Sequence, residues 1–150
     1  QNAIEVRRRA REKKEVFVLT NGCFDVMHAG HASSLNKASE FGDLLFVGLN
    51  SDQSVKQLKG SQRPINSQEN RAYLLSSLRA VDGVFLFDNQ NIAAEILLLK
   101  PDFYIKSEDY KYNTLNPEER EALNQVGAKV DFVPLLKDLS SSAIIEKVMK

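Results

Sequence analysis

The chain has 150 residues, with 20 basic and 20 acidic side chains for a formal net charge of zero, and 43% of its residues are hydrophobic. A chain of this size fits one domain with a substantial core, and its balanced charge argues against a broad polyanion-binding surface, so nucleic acid is not an expected partner. The single cysteine, Cys23, cannot close an internal disulfide, which fits a reducing, cytoplasmic setting.

Residues 4 to 14 are basic and amphipathic, and read as either an extra helix or a frayed end. The apolar run that follows, Val16 to Leu19, is shorter than the roughly 7–15 apolar residues of a secretory signal. No later stretch approaches the roughly 20 residues that span a bilayer, so no membrane association is expected. The sequence opens on Gln1, which keeps open a longer parent chain with a further domain.

From Val16 onward, short apolar runs alternate with segments of helical period, the pattern of parallel strands joined by crossover helices. Strands are expected at Val16 to Thr20, Leu44 to Asn50, Gly83 to Phe87, Asp102 to Lys106 and Lys129 to Val133. LLFVGL and VFLF read as the continuous apolar runs of strands covered on both faces. Between them, Ala32, Leu35, Ala38 and Phe41 mark one helix, with Gly42 as its stop. Leu74, Leu75, Leu78 and Val81 mark a second after the N-cap candidate Ser67, and Ile92, Ile96 and Leu99 a third that ends before Pro101. A fourth starts at Pro117 with Glu118 and Glu119 in its first turn, and a last one follows Ser140-Ser141-Ser142. The expectation is an α/β fold: one domain over residues 1–150, a three-layer α/β/α Rossmann-like sandwich around a five-stranded parallel sheet.

The chemistry concentrates in Thr20 to His31, TNGCFDVMHAGH, where the first strand turns into the first crossover helix. In open α/β sheets ligands bind beyond the carboxyl ends of the strands, and a helix N-terminus offers free N–H groups to a phosphate. Gly22 and Gly30 permit close backbone approach there. His28 and His31, three apart, project from one helix face toward one anion. Two imidazoles beside a triphosphate suit in-line attack on an α-phosphoryl group, where they donate hydrogen bonds to the charge that develops. The attacking phosphate is already anionic and needs no strong base. A divalent cation, magnesium, is expected with the β- and γ-phosphates. Two plainer readings stand beside this one: a helix-start histidine is often an ordinary cap, and Cys23, Asp25, His28 and His31 could ligate a metal. Their spacing matches no closed zinc arrangement, so no protein-held metal site is assigned.

The stretch His28-Ala29-Gly30-His31 resembles the His-x-Gly-His signature of the cytidylyltransferase-like nucleotidyltransferase superfamily. Around it, in family order, stand GDLLFVGLNSD (42–52), LKGSQRPIN (58–66), ENRAYLLSSLRAVD (69–82), KPDFYIKSEDY (100–110) and LSSSAII (139–145). Together they most resemble the adenylyltransferase domain of bacterial ADP-heptose synthases, which act on a heptose 1-phosphate in lipopolysaccharide assembly. The resemblance implies that Gly22, Cys23 and Phe24 offer backbone N–H groups to phosphates and that His28 and His31 complete an α-phosphate clamp, with Gly30 between them. It implies that Lys59 reaches the triphosphate from a mobile loop and that Arg71 lies near the site and a homodimer contact. Lys106 and Asp109 would lie by the nucleotide, and Ser140, Ser141 and Ser142 would bind the outer phosphates, although helix capping is an equal reading for each serine.

Two departures bear on the substrate. The family's Lys-Gly-Gly-Asp-Tyr stands here as Lys106-Ser107-Glu108-Asp109-Tyr110, and its Ser-Thr-Thr as three serines. The acidic residue beside Asp109 is nearer to glycerol-phosphate cytidylyltransferases. The implied activity is nucleotidyl transfer from an NTP, ATP before CTP, to a sugar 1-phosphate, with pyrophosphate released. The alternatives are a CTP-dependent enzyme acting on glycerol phosphate or another polyol or alcohol phosphate, and a non-catalytic nucleotide-binding module. A sugar kinase, fused or separate, is an expected companion.

Overall fold

The computed structural model describes residues 2–137 and 139–150. Five strands, β1 (Phe17–Gly22), β2 (Leu44–Asn50), β3 (Gly83–Phe87), β4 (Phe103–Ser107) and β5 (Lys129–Val133), form one sheet in the order β3-β2-β1-β4-β5. All four pairings are parallel. The fold is therefore the expected α/β sandwich. Among the described residues seven α-helices connect and flank the strands: α1 (Ala3–Lys13), α2 (Ala29–Ser39), α3 (Asp52–Lys59), α4 (Gln68–Ser76), α5 (Ala93–Leu99), α6 (Pro117–Val126) and α7 (Ser141–Met149).

Alternation along β1 sends side chains to the two faces of the sheet. Phe17 and Leu19 enter one core with Ile92, Ile96, Leu99 and Leu123 from the α5 and α6 side. Val18 enters the other, with Leu35 and Ala38 of α2 and Leu75 of α4. Because the connection from β1 runs to β2 and β4 lies on its other side, the order of strands reverses at β1. A crevice opens at such a switch point, beyond the carboxyl ends of the strands.

The basic N-terminal segment is a helix. Asn2 caps it by accepting from the Ile4 N–H at 3.0 Å. Arg7, 6% exposed, then fastens it to the body, donating to the Leu99 carbonyl at 3.0 Å and pairing with Asp102 at 2.9 Å. The same carboxylate accepts from the Phe17 N–H at 2.8 Å, so one buried cation holds helix, strand and loop together.

Ser67 and Pro117 begin helices as the sequence suggests, Ser67 as N-cap and Pro117 in the first turn of α6, while α7 starts within the triple serine, with Ser140 as its N-cap. The strand boundaries move by a residue or two: β1 runs on to Gly22, and β4 spans Phe103–Ser107. Gly42 does not stop α2, which ends at Ser39 with Glu40 still in the right-handed region at φ −72°. Its smallness serves the sheet instead, since a Cβ there would sit 2.7 Å from the Val16 carbonyl oxygen. Helix α3 had no counterpart in the apolar pattern, because DQSVKQLK is mostly polar and buries only Ser54 and Val55.

Candidate active site

The crevice at the switch point is a cavity of about 410 Å³. It brings together residues from far apart in the sequence: His28, Gly30 and His31 from the β1–α2 turn, Lys59 from the end of α3, Lys106 and Asp109 after β4, and all three serines 140 to 142 at the start of α7. Gly22 and Phe24 also line it. Of the residues singled out from the sequence, Cys23 and Arg71 do not form part of the wall.

His28 is the N-cap of α2, in extended backbone at φ −143°. Its Nδ1 accepts from the Gly30 N–H at 3.1 Å, and His31 Nδ1 faces the His28 N–H at 3.4 Å. The two rings stack with centroids 4.0 Å apart. Both Nδ1 atoms are acceptors, so in the neutral rings the proton sits on Nε2. Burial pushes the pKa of His28 down. Burial, then the nearby His28 and Lys59 charges, push His31 to about 4. Near neutral pH the pair is therefore uncharged and still offers two N–H donors. Gly30 is required by this arrangement, because a Cβ there would lie 2.7 Å from Cε1 of the His28 ring.

The turn before the histidines is open. The N–H groups of Cys23 and Phe24 make no hydrogen bond among the described residues. Phe24 is left-handed at φ 47°, and its ring folds back over Gly22 and toward His31, 5.3 Å between ring centroids. Cys23 is half-buried. Burial raises its thiol pKa against the pull of Lys59, Arg71, Lys106 and Arg63, so the turn is surrounded by cations while the thiol stays protonated.

Arg71 is 0% exposed, and its donors are spent inside the protein. It donates to the carbonyls of Cys23 at 2.6 Å, Asn50 at 2.8 Å and Asn66 at 3.0 Å, and pairs with Asp52 at 2.7 Å. It ties the turn after β1 to the end of β2 rather than presenting charge to the cavity. Asp25 does a related task that the sequence did not suggest. At 2% exposure it accepts from the N–H groups of Ile65 and Asn66 at 2.8 and 2.9 Å, and pairs with Arg63. Burial alone would raise the Asp25 pKa, but those two N–H groups and the Arg63 guanidinium outweigh it and hold the carboxyl below its ordinary value. This clamp draws the segment after Lys59 against the β1–α2 turn. No local signal links Asp25 to residues about 40 positions away.

On the α7 side of the wall, Ser140 Oγ accepts from the Ala143 N–H at 3.0 Å, so it caps α7. Ser141 Oγ donates to the Val26 carbonyl at 2.7 Å and joins α7 to the β1–α2 turn. Ser107 donates to Asp109. Glu108 faces elsewhere, its carboxylate accepting from the Leu135 N–H at 3.1 Å, and it does not line the cavity. Thr20, Asn21 and Ser34, absent from the sequence-derived set, are in the wall. Ser34 Oγ is buried there with no partner among the described residues. Also among the described residues, no group of three or more His, Cys, Asp or Glu side chains could hold a metal ion, and no helix is long and apolar enough to cross a membrane.

Residues 19–147 match the family described as cytidylyltransferase-like. The chain is similar to the Bifunctional protein HldE of Wolinella succinogenes, 45% identical over 141 residues that make up 93% of this chain and 28% of that protein. It is 47% identical over 138 residues to the Bifunctional protein HldE of Campylobacter curvus, again 28% of the relative's length. The chain thus spans little more than a quarter of the curated relatives it matches. The crystal structure of the lipopolysaccharide core biosynthesis protein from Thermoplasma volcanium superposes with a TM-score of 0.65 at 27% identity, over 82% of this chain and 98% of that one. Pantothenate synthetase from Thermus thermophilus superposes with a TM-score of 0.61 at 16% identity, over 94% of this chain and 65% of that one, and shares the fold. With its paired imidazoles stacked at the mouth of the first crossover helix and the match extending from β1 into α7, the chain is a nucleotidyltransferase of the cytidylyltransferase-like family.

Proposed function

We propose that the chain transfers AMP from ATP to a sugar 1-phosphate, heptose 1-phosphate first among them, and releases pyrophosphate. The observation that carries this is the stacked His28–His31 pair, which opens onto the same cavity as Lys59 and the start of α7. An oxygen of the acceptor's phosphate attacks the α-phosphorus. The bond from that phosphorus to the bridging oxygen breaks, and pyrophosphate leaves with the electron pair. The two Nε2–H groups donate to the α-phosphate oxygens as their charge grows, and being neutral they need no proton exchange with solvent. The free N–H groups of the turn after β1 and the N-terminus of α7 suit the remaining phosphates. Lys59, exposed at the last position of α3 before Gly60, carries a mobile cation suited to the departing pyrophosphate.

Magnesium would enter with the nucleotide and neutralise its outer phosphates. The donor set fits that route rather than a resident ion: among the described residues Asp109 is the one carboxylate of the wall, and Asp25 is engaged by Arg63 and two N–H groups. The preference for ATP and a sugar phosphate rests on the HldE relatives and on the motifs shared with ADP-heptose synthases. Glu108, the residue that resembles glycerol-phosphate cytidylyltransferases, accepts from the Leu135 N–H and does not line the cavity, which supports ATP before CTP in this reading. A homodimer and a sugar kinase acting upstream, in the same or another chain, belong to the same proposal.

The test is a pyrophosphate-release screen of ATP, CTP, GTP and UTP against sugar, polyol and alcohol phosphates. Turnover confined to ATP with a heptose 1-phosphate is the expected result. Turnover with CTP and glycerol phosphate would replace the substrate reading, and nucleotide binding with no turnover by any pair would make the chain a binding module.

A further inference from the structure

Where β1 and β4 run side by side, three side chains meet, two of them, Asn21 and Lys106, in the cavity wall. The amide oxygen of Asn21 accepts from the Tyr104 hydroxyl at 2.7 Å and from the Lys106 ammonium at 3.2 Å. An ammonium is a donor only, so the amide oxygen must face it and Nδ2 must face away. Tyr104 is fully buried, which fixes the second donor in place. Lys106 is steadied in turn by the face of the Tyr110 ring, 4.6 Å from Nζ to the centroid. Asn21 Nδ2 makes no hydrogen bond among the described residues and is not sealed from solvent, and Asn21 forms part of the cavity wall. A carbonyl oxygen held by two donors, one of them cationic, polarises its own N–H groups and locks the plane in which they point.

We propose that Asn21 is a substrate-binding residue whose Nδ2 donates to a phosphate oxygen of the bound nucleotide, with Tyr104 and Lys106 as the positioning residues that aim it. This deepens the reading of the cavity as a nucleotide site and rests on it. The alternative is that the amide merely satisfies two buried donors. A carboxylate at position 21 still accepts from Tyr104 and Lys106, so the buried contacts survive, but it replaces the outward N–H with an anionic oxygen.

The experiment measures binding of an ATP analogue with a non-cleavable α–β bridge by calorimetry, together with thermal melting and pyrophosphate release, for wild type, Asn21→Asp, Asn21→Ala and Tyr104→Phe. Asn21→Asp is expected to melt like wild type and to bind the analogue at least about tenfold more weakly, because like charges meet in a desolvated cavity. Tyr104→Phe keeps the donor but frees its plane, and is expected to raise the nucleotide KM about three- to tenfold with kcat held. Wild-type affinity in a folded Asn21→Asp variant overturns the proposal. Should that variant fail to fold, wild-type affinity in folded Asn21→Ala overturns it equally. A wild-type chain that binds no nucleotide instead defeats the reading of the cavity itself, which is a distinct outcome.

Discussion

His28 Nδ1 receives the Gly30 N–H at 3.1 Å, so the histidine that caps α2 has one ring nitrogen committed to the backbone and the other free to face the cavity. In the proposed reaction, capping and phosphate binding would be divided between two atoms of one side chain. Asparagine caps helices as well as any residue but reaches only as far as Nδ1. His28→Asn is expected to keep the melting temperature while pyrophosphate release falls by about 10²-fold, the usual loss for one transition-state donor. His31→Ala should lose activity on the same scale. Rates within a few-fold of wild type for both, in a steady-state assay, would reduce the pair to a capping device.

Gly30 tests the same geometry from the other side. A methyl group there would press on His28 Cε1 at 2.7 Å and Nδ1 at 2.8 Å. The ring must turn, although alanine is the better helix former by up to about 1 kcal/mol. Gly30→Ala is expected to fold as stably as wild type and to lose about 10²-fold in kcat/KM, since small displacements of catalytic groups carry losses of that order. An active variant with an unmoved His28 ring in its crystal structure would contradict the clash.

Arg71 carries a stability prediction. Arg71→Met leaves three carbonyls without their donor and Asp52 without its cation. Asp52 is 35% exposed and loses little, so the cost comes mainly from the carbonyls left unpaired, about 1–3 kcal/mol, measurable as a lowered urea midpoint. Arg71→Lys keeps the charge but not the planar fork, and should fall between wild type and Arg71→Met. A variant as stable as wild type would show that the buried network contributes nothing.

The low pKa of His31, about 4, fixes the sign of a pH effect. Between that value and the ordinary imidazole pKa of about 6.5, the unfolded chain binds more protons than the folded one, so stability rises with pH through the window and is lost on acidification. The melting temperature should drop from pH 7 to pH 4.5, and His31→Gln should shallow that drop. In proton NMR the His31 ring should titrate near pH 4; a midpoint near 6.5 would place it in water rather than against the turn.

Amino-acid order alone determined what depends on neighbours along the chain. Five short runs specified five parallel strands, Ser67 and the serines 140 to 142 marked helix starts, and the pair His28 and His31 marked the turn after β1, because periodicity, capping and strand-to-helix turns are local properties. Helix α3 escaped that reading, since its stabilising contacts come from Val55 and from the Ser51 cap rather than from an apolar stripe. Only the tertiary structure decided where long side chains point. The resemblance placed Arg71 near the site and a homodimer contact, whereas packing seals it against Cys23, Asn50 and Asn66; Asp25, which by residue type alone could ligate a metal, clamps residues 63 to 66. Asn21, unremarkable in sequence, acquires direction only when β4 brings Tyr104 and Lys106 beside it. A flexible side chain takes its orientation from the acceptors and donors that folding brings to it, and those lie tens of residues away along the backbone.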